Sequence, residues 1–348
     1  MTGSSTQPQQ RAITAMISFL KREATVLFLL LKDNLNAAYF PVIILYIAMS
    51  SAVSCPTLSG LCSILLLALL FQMAFDTMNQ LVGVEEDAIN KPHRPIPSGL
   101  ISVRGCIFRC IIANAAYLLV GALHGIAPWC ALWQLASVGY LLRFDKNWFY
   151  KNHVFIPAGI VVQFMTGVCL ANDGMYSQEF VQWVFTFSAY FGVCATVQDI
   201  RDVAGDMALK RRTVPVILGL ERTRYVFMVV MGIFSPTVVR FVVVAPIWDT
   251  NYHAACWILA MHWPFHVLIT YRLAAMKNAG DHRLTYTCIV WQFIISCSSM
   301  YYIAPSLLLI TEIPVRQSFN QSLGRTNQPL INQNHLLSDL QAVAKTSS

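Results

Sequence analysis

Charge is scarce in this chain. Asp, Glu, Lys and Arg make up 12% of its 348 residues, against about a quarter in an ordinary soluble domain. That shortfall excludes a soluble globular protein of this length. Paired cysteines are missing too: the ten cysteines are scattered through apolar segments with no CxxC. Cys106 and Cys110 stand four apart, but two thiols alone make a poor metal site, so the cysteines read as small packing groups. There is no Ser-His-Asp order, Gly-rich phosphate loop or zinc spacing. No charged start followed by a short apolar core opens the chain, so a cleavable secretory leader is not expected. The formal charge of +7 does not point to nucleic acid, because the basic residues sit in short loops between apolar runs.

Those runs dominate. Hydrophobic residues make up 56% of the chain, and several stretches approach or exceed the roughly 20 apolar residues that cross a bilayer. The fold class is all-α, a polytopic membrane protein. Residues 1–11 are expected to be unstructured, and Ile13 to Leu31, broken by Lys21, Arg22 and Glu23, reads as an interfacial helix. Nine spans are predicted at 37–55, 58–83, 102–122, 126–142, 154–172, 180–200, 224–246, 254–272 and 286–310. The expected organisation is therefore a tail and interfacial helix (1–35), a nine-helix transmembrane domain (36–310) and a disordered carboxyl tail (311–348).

The loops after the first, third, fifth and seventh spans contain no Lys or Arg. Those after the second, fourth, sixth and eighth carry Lys91 and Arg94; Arg143, Lys146 and Lys151; Arg201, Lys210, Arg211, Arg212 and Arg222; and Lys277 and Arg283. Positive charge marks the cytoplasmic side. The amino terminus and loops 84–101 and 201–223 are thus expected in the cytosol, with the carboxyl tail across the membrane. Arg240, inside span seven, is the exception, and reads as reaching an interface or a partner.

Two acidic faces converge on that side. In FQMAFDTMNQLVGVEEDAINKPHRPIPSG, residues 71–99, Asp76, Asn79, Gly83 and Asp87 are three or four apart and share a helical face, with Glu86 beside Asp87. Pro92 and Pro95 then prevent the helix from continuing and hold Lys91, His93 and Arg94 close to the acids. At the end of span six, Asp199, Asp202 and Asp206 again fall on one face, followed by a basic segment ending in proline. One acidic helix end is ordinarily a solvated surface. Two on the same rim would repel one another unless cations neutralised them, and they suit a diphosphate chelated by Mg²⁺, which takes a few carboxylates and completes its octahedron with water and phosphate oxygens.

With these residues in view, the chain resembles the UbiA superfamily of intramembrane prenyltransferases. Asn79 and Asp87 match the ends of that family's NxxxDxxxD motif. Asn90, Lys91, Pro92, Arg94 and Pro95 match its N-K-P-x-R-P continuation, Asp199, Asp202 and Asp206 its second aspartate run, and Arg212-Thr213 the residues that follow. The resemblance covers about residues 35–310. It implies nine helices around a central cavity, the use of Mg²⁺ and ionisation of an allylic diphosphate. One departure stands out: Gly83 occupies the position of the middle aspartate. The pattern N-Q-x-x-G-V-E-E-D resembles a fungal branch that includes intramembrane terpene cyclases. Glu86 and Asp76 are the two candidates to replace the missing ligand.

On that resemblance Asp87, Asp199, Asp202 and Asp206 are the expected metal ligands, with Asn79 and Glu86 beside them in the catalytic set. Lys91, Arg94, Lys151 and Arg212 are the expected diphosphate contacts. Lys151 also reads as an anchor in the Trp148/Phe149/Tyr150 belt, and His93 as a base or a phosphate contact. Phe75, Tyr190 and Phe191 are candidates to face a carbocation, which aromatic faces attract by about 0.5–2 kcal/mol each. The expected partners are an isoprenoid diphosphate and the lipid bilayer, with no nucleic acid. The expected location is the endoplasmic reticulum or another endomembrane, with the site facing the cytosol. Cyclisation of farnesyl or geranylgeranyl diphosphate is the favoured activity, and transfer of the prenyl group to an unidentified aromatic or polar acceptor the alternative. A transporter fits less well, because transport sites usually lie near the midplane.

Overall fold

The computed structural model describes residues 6–308, apart from Ser54 and Arg143. All of its named elements are helical. Helix α1 covers Thr6–Leu31, α2 Leu35–Val53, α3 Leu58–Val82, α4 Val84–Asn90, α5 Val103–Leu123 and α6 Ala127–Leu141. Helix α7 covers Tyr150–Ala171, with a first segment wound as a π-helix over Tyr150–Phe155. Then come α8 (Gln178–Ala195), α9 (Gln198–Ala208), α10 (Val214–Leu218), α11 (Leu220–Trp248), α12 (Tyr252–Ala275) and α13 (Ala279–Ala304). The first element begins at Thr6, so the start expected to be unstructured is already helical there. The carboxyl tail lies outside the described residues.

Each of the nine predicted spans coincides with a helical segment, yet the expected count of nine does not follow. Seven helices among the described residues are long and apolar enough to cross a membrane, or eight if α8 and α9 form one bent span. The shortfall lies mainly in α6, whose 15 residues reach only about 22 Å at 1.5 Å per residue, less than a hydrocarbon core of about 30 Å. The surface is the reverse of a soluble protein's: Phe108 and Trp263 are each 64% exposed, as outward faces in contact with lipid chains would be.

Side-chain caps start several of the long helices. Thr57, Ser102 and Ser177 accept hydrogen bonds from the amides of Gly60, Gly105 and Phe180 at 3.0–3.1 Å, satisfying donors the first turn leaves open. Helix α2 packs against α3, α7 and α13, and α3 against α5 and α6. Helix α1 is tied to this body: Arg22 Nη2 donates to the Leu100 carbonyl at 3.1 Å, and Glu23 pairs with Arg109. Two of the charges that interrupt the apolar run of α1, Arg22 and Glu23, are thus docking groups. Arg240, the span-seven exception, lays its guanidinium 4.4 Å from the Trp248 ring.

Two breaks shape the functional end. Helix α3 stops at Gly83, where φ −96° and ψ 14° take the chain out of helical geometry before α4 begins. A Cβ at Gly83 would come within 2.9 Å of the Asn79 carbonyl oxygen. Gly83 is therefore the corner between two helices, and the cost of glycine within a helix does not apply to it. The second break is a 60° bend between α8 and α9. Helix α9 then packs against α4, so the two elements that carry the acidic motifs meet.

Candidate active site

A cavity of about 460 Å³ opens where α4 and α9 meet, within the range of small-molecule sites. Its mouth is charged. Asp33, Asn79, Glu86, Asp87, Lys91, His93, Arg94, Lys151, Arg201, Asp202 and Arg211 line it there. Its interior is aromatic, with Phe71, Phe75, Trp133, Phe155, Phe191 and Phe293 in the wall.

Every acid of the mouth has a cation against it. Arg94 Nη1 donates to both Asp87 oxygens at 2.9 and 2.8 Å, and its Nε donates to Asp33 at 3.1 Å. Arg211 pairs with Glu86 and lies 3.3 Å from Asp206. Lys151 Nζ donates to Asp199 at 2.6 Å, and Asn152 Nδ2 to the other Asp199 oxygen at 2.7 Å. Arg201 grips both oxygens of Asp202 at 2.8 and 2.9 Å and lies 4.7 Å from the Tyr286 ring. Burial pulls the Asp33 carboxyl upward, but Arg94 and Lys91 outweigh it and hold it below the usual range. Burial, with Arg94 alongside, pulls the Lys91 ammonium down.

Most of the expected residues come together, with two corrections and with two of the acids set back from the cavity lining. Arg212 does not reach the cavity: its backbone joins Lys146 and Trp148, while its side chain is exposed. The neighbouring Arg211 takes its place in the mouth. Tyr190 is buried away from the cavity with its hydroxyl 2.7 Å from Ser235, whereas Phe75 and Phe191 do line it. Asp199 and Asp206 are fully buried behind the lining, under Lys151 and Arg211. Of the two candidates to replace the missing aspartate, Glu86 lines the cavity, whereas Asp76 is bound to Asn34 (2.6 Å) and Gln72 (2.9 Å), tying α3 to the α1–α2 turn.

Sequence reasoning passed over Asp33, Asn152, Arg201, Arg211, Trp133 and Phe155. Asn152 follows Lys151 directly, a signal that was available. Its position depends on Gly192, where a Cβ would come within 2.5 Å of the Asn152 carbonyl oxygen. Asp33 had no local signal, because only the fold brings the α1–α2 turn to Arg94.

Among the described residues no three His, Cys, Asp or Glu side chains are close enough to hold an ion by themselves. The donor set still fits a hard cation that draws other ligands from a bound diphosphate and water. One atom supports this directly: Asp206 Oδ2 is buried with no hydrogen-bond partner, and a buried carboxylate oxygen needs one.

Outward apolar helices, a charged mouth and an aromatic chamber define an intramembrane helical protein with a site for an amphipathic anion. Residues 38–310 match the profile of the UbiA prenyltransferase family, and the chain belongs to that family, whose members are multi-pass membrane proteins. It is similar to Somaliensene A/B synthase of Streptomyces somaliensis, 28% identical over 290 residues, covering 80% of this chain and 93% of that one. It is also 28% identical over 242 residues to Diterpene cyclase eriG of Hericium erinaceus, covering 64% and 71% respectively. The fold matches a UbiA homologue of Archaeoglobus fulgidus solved with GPP and Mg²⁺ at a TM-score of 0.58 and 17% identity, covering 81% of this chain and 99% of that one.

Proposed function

We propose that the protein ionises a farnesyl or geranylgeranyl diphosphate with Mg²⁺ and cyclises the resulting cation to a terpene. One observation carries this reading: the cation-rich junction of α4 and α9 opens directly onto a chamber walled by aromatic rings. The two terpene-forming relatives support the cyclising half, and the Mg²⁺-bound homologue supports the metal.

The residues divide the work by depth. Asp87, Asp199, Asp202 and Asp206, with Asn79 and Glu86 beside them, would hold the metal. When bound, Mg²⁺ supplies Lewis-acid stabilisation to the departing diphosphate. Lys91, Arg94, Lys151 and Arg211 bind its oxygens, and arginine can grip two at once. Arg94, Lys151 and Arg211 are already paired with acids, so at these three binding exchanges partners instead of placing a bare charge in the mouth. The allylic C–O bond breaks and its electron pair leaves with the diphosphate. A π bond of the folded chain then attacks the cation and forms the ring. Loss of a proton to the released diphosphate or to water restores a double bond.

Phe71, Phe75, Trp133 and Phe155 surround the travelling charge. Phe71 stacks on Trp133 with centroids 4.2 Å apart, and Phe155 lies 4.6 Å from Phe75 and 4.8 Å from Trp133. The mutual packing fixes the rings before substrate arrives, and their apolar walls exclude the water that would quench the cation early.

Membranes containing the protein, given geranylgeranyl or farnesyl diphosphate with Mg²⁺ and no acceptor, are expected to yield cyclic hydrocarbons and pyrophosphate. Turnover only after an acceptor is added would replace cyclisation with prenyl transfer.

The basic-loop alternation supports a mouth on the cytosolic face, and the proposed membrane is an endomembrane. An epitope inserted at Ser98, beside the mouth, should be digested by protease added to sealed microsomes. Its protection would invert the topology.

A further inference from the structure

Deep in the cavity wall, among apolar neighbours, lies one amide. Ile156, Gly159, Ile160 and Gln163 line the cavity from one face of α7, at the i, i+3, i+4, i+7 spacing of a helical stripe. Gln163 is twelve residues beyond Lys151, about 18 Å farther along the helix at 1.5 Å per residue. It is 6% exposed.

Its orientation is set by chemistry. Gln163 Nε2 donates to the carbonyls of Ala37 and Ala38 in α2, at 3.2 and 3.1 Å. Only the NH₂ end of an amide can face two carbonyl oxygens, so the two ends of this side chain are not interchangeable. The need for a donor at that point comes from Pro41, inside α2. Proline has no N–H, so the Ala37 carbonyl, four residues earlier, lacks its helical partner, and an unpaired backbone carbonyl is costly within a membrane. The same bonds leave Oε1 with no partner among the described residues. Gln163 therefore presents to the cavity a carbonyl dipole whose negative end cannot turn away.

We infer that Gln163 is a product-determining residue: its carbonyl oxygen stabilises a carbocation in the deep part of the chamber, after the diphosphate has left. A fixed dipole costs no reorganisation when charge arrives, and in an apolar wall it selects one cation position over its neighbours. The aromatic rings nearer the mouth attract charge more diffusely. Ionisation at the α4–α9 junction does not involve Gln163. This inference rests on the cyclisation reading above.

The test compares pyrophosphate release with the hydrocarbon profile, using full-length protein with geranylgeranyl diphosphate and Mg²⁺. Gln163→Leu should release pyrophosphate within about threefold of the wild type, while its main cyclic product falls about tenfold relative to linear and early-quenched products. Gln163→Leu also removes the donor that serves Ala37, so Gln163→Leu/Pro41→Ala is the control: alanine restores a backbone N–H for that carbonyl. The double variant should recover any lost thermal stability and keep the altered profile. Product ratios unchanged from the wild type in both variants, or a profile restored by Pro41→Ala, overturn the inference and make Gln163 a helix-packing group. Wild-type protein that forms no hydrocarbon without an acceptor overturns the cyclisation reading and this inference with it.

Discussion

Asp202→Asn should cut pyrophosphate release by about 10²–10³-fold, the usual cost of one preorganised electrostatic group, while the protein accumulates in membranes and melts close to the wild type. Asp202 lines the mouth, and both its oxygens are held by Arg201. An amide keeps one acceptor for that fork but loses the charge a metal needs. Asp199→Ala should behave differently. Asp199 is fully buried, with one oxygen on Lys151 and the other on Asn152. Removing it leaves an ammonium without its carboxylate, and breaking a buried pair costs about 3–5 kcal/mol. That variant should lose stability as well as turnover. Thermal melts beside the activity assay separate the two cases, and wild-type turnover in Asp202→Asn would remove this residue from the site. The neighbouring arginines supply a contrast. Arg211→Ala deprives Glu86 and Asp206 of their cation and should raise KM steeply, whereas Arg212→Ala should leave turnover near the wild type.

That contrast marks the limit of what the sequence disclosed. Acids spaced three and four apart are legible because helical periodicity puts them on one face, and the alternating basic loops put both clusters on one rim. The long apolar runs give the helices for the same reason. Which of two adjacent arginines faces inward is different. It depends on where α9 ends, and the chain leaves that helix through Lys210 at φ +54°. Asp33 illustrates a second limit: it reaches Arg94 across 61 positions, and no local pattern records that contact. The aromatic chamber is a third. The chain is rich in Phe, Trp and Tyr, and rings on lipid-facing and cavity-facing sides look alike in sequence. Phe71 was visible at the start of the acidic stretch, yet its partner Trp133 comes from α6, whose length alone would not identify a span.

The last expected result concerns the corner at Gly83. With no side chain there, α3 can stop and α4 can leave at an angle that turns Glu86 and Asp87 into the mouth. An aspartate at this position would restore the family's third ligand in sequence, but its Cβ would meet the Asn79 carbonyl at 2.9 Å. The obstructing group is backbone, so the chain at this corner must shift. The Asp87 and Glu86 oxygens lie 3.8 and 3.9 Å from the same Cβ, and a third carboxylate there meets two like charges. Gly83→Asp should therefore ionise substrate more slowly than the wild type, because small misplacements of reacting groups cost up to about 10²-fold. Its products should shift towards linear and early-quenched ones. Glu86→Ala provides the sharper measurement. In the Gly83 protein it removes the carboxylate proposed to stand in for the missing ligand and takes one acid from Arg211, so the loss should be large. In the Gly83→Asp background the new acid lies beside the vacated position and can meet the same cation, so the further loss should be smaller. The coupling is read as a double-mutant cycle on pyrophosphate release. Equal losses in the two backgrounds would mean that Glu86 does not substitute for the aspartate, and that its role is to anchor Arg211 alone.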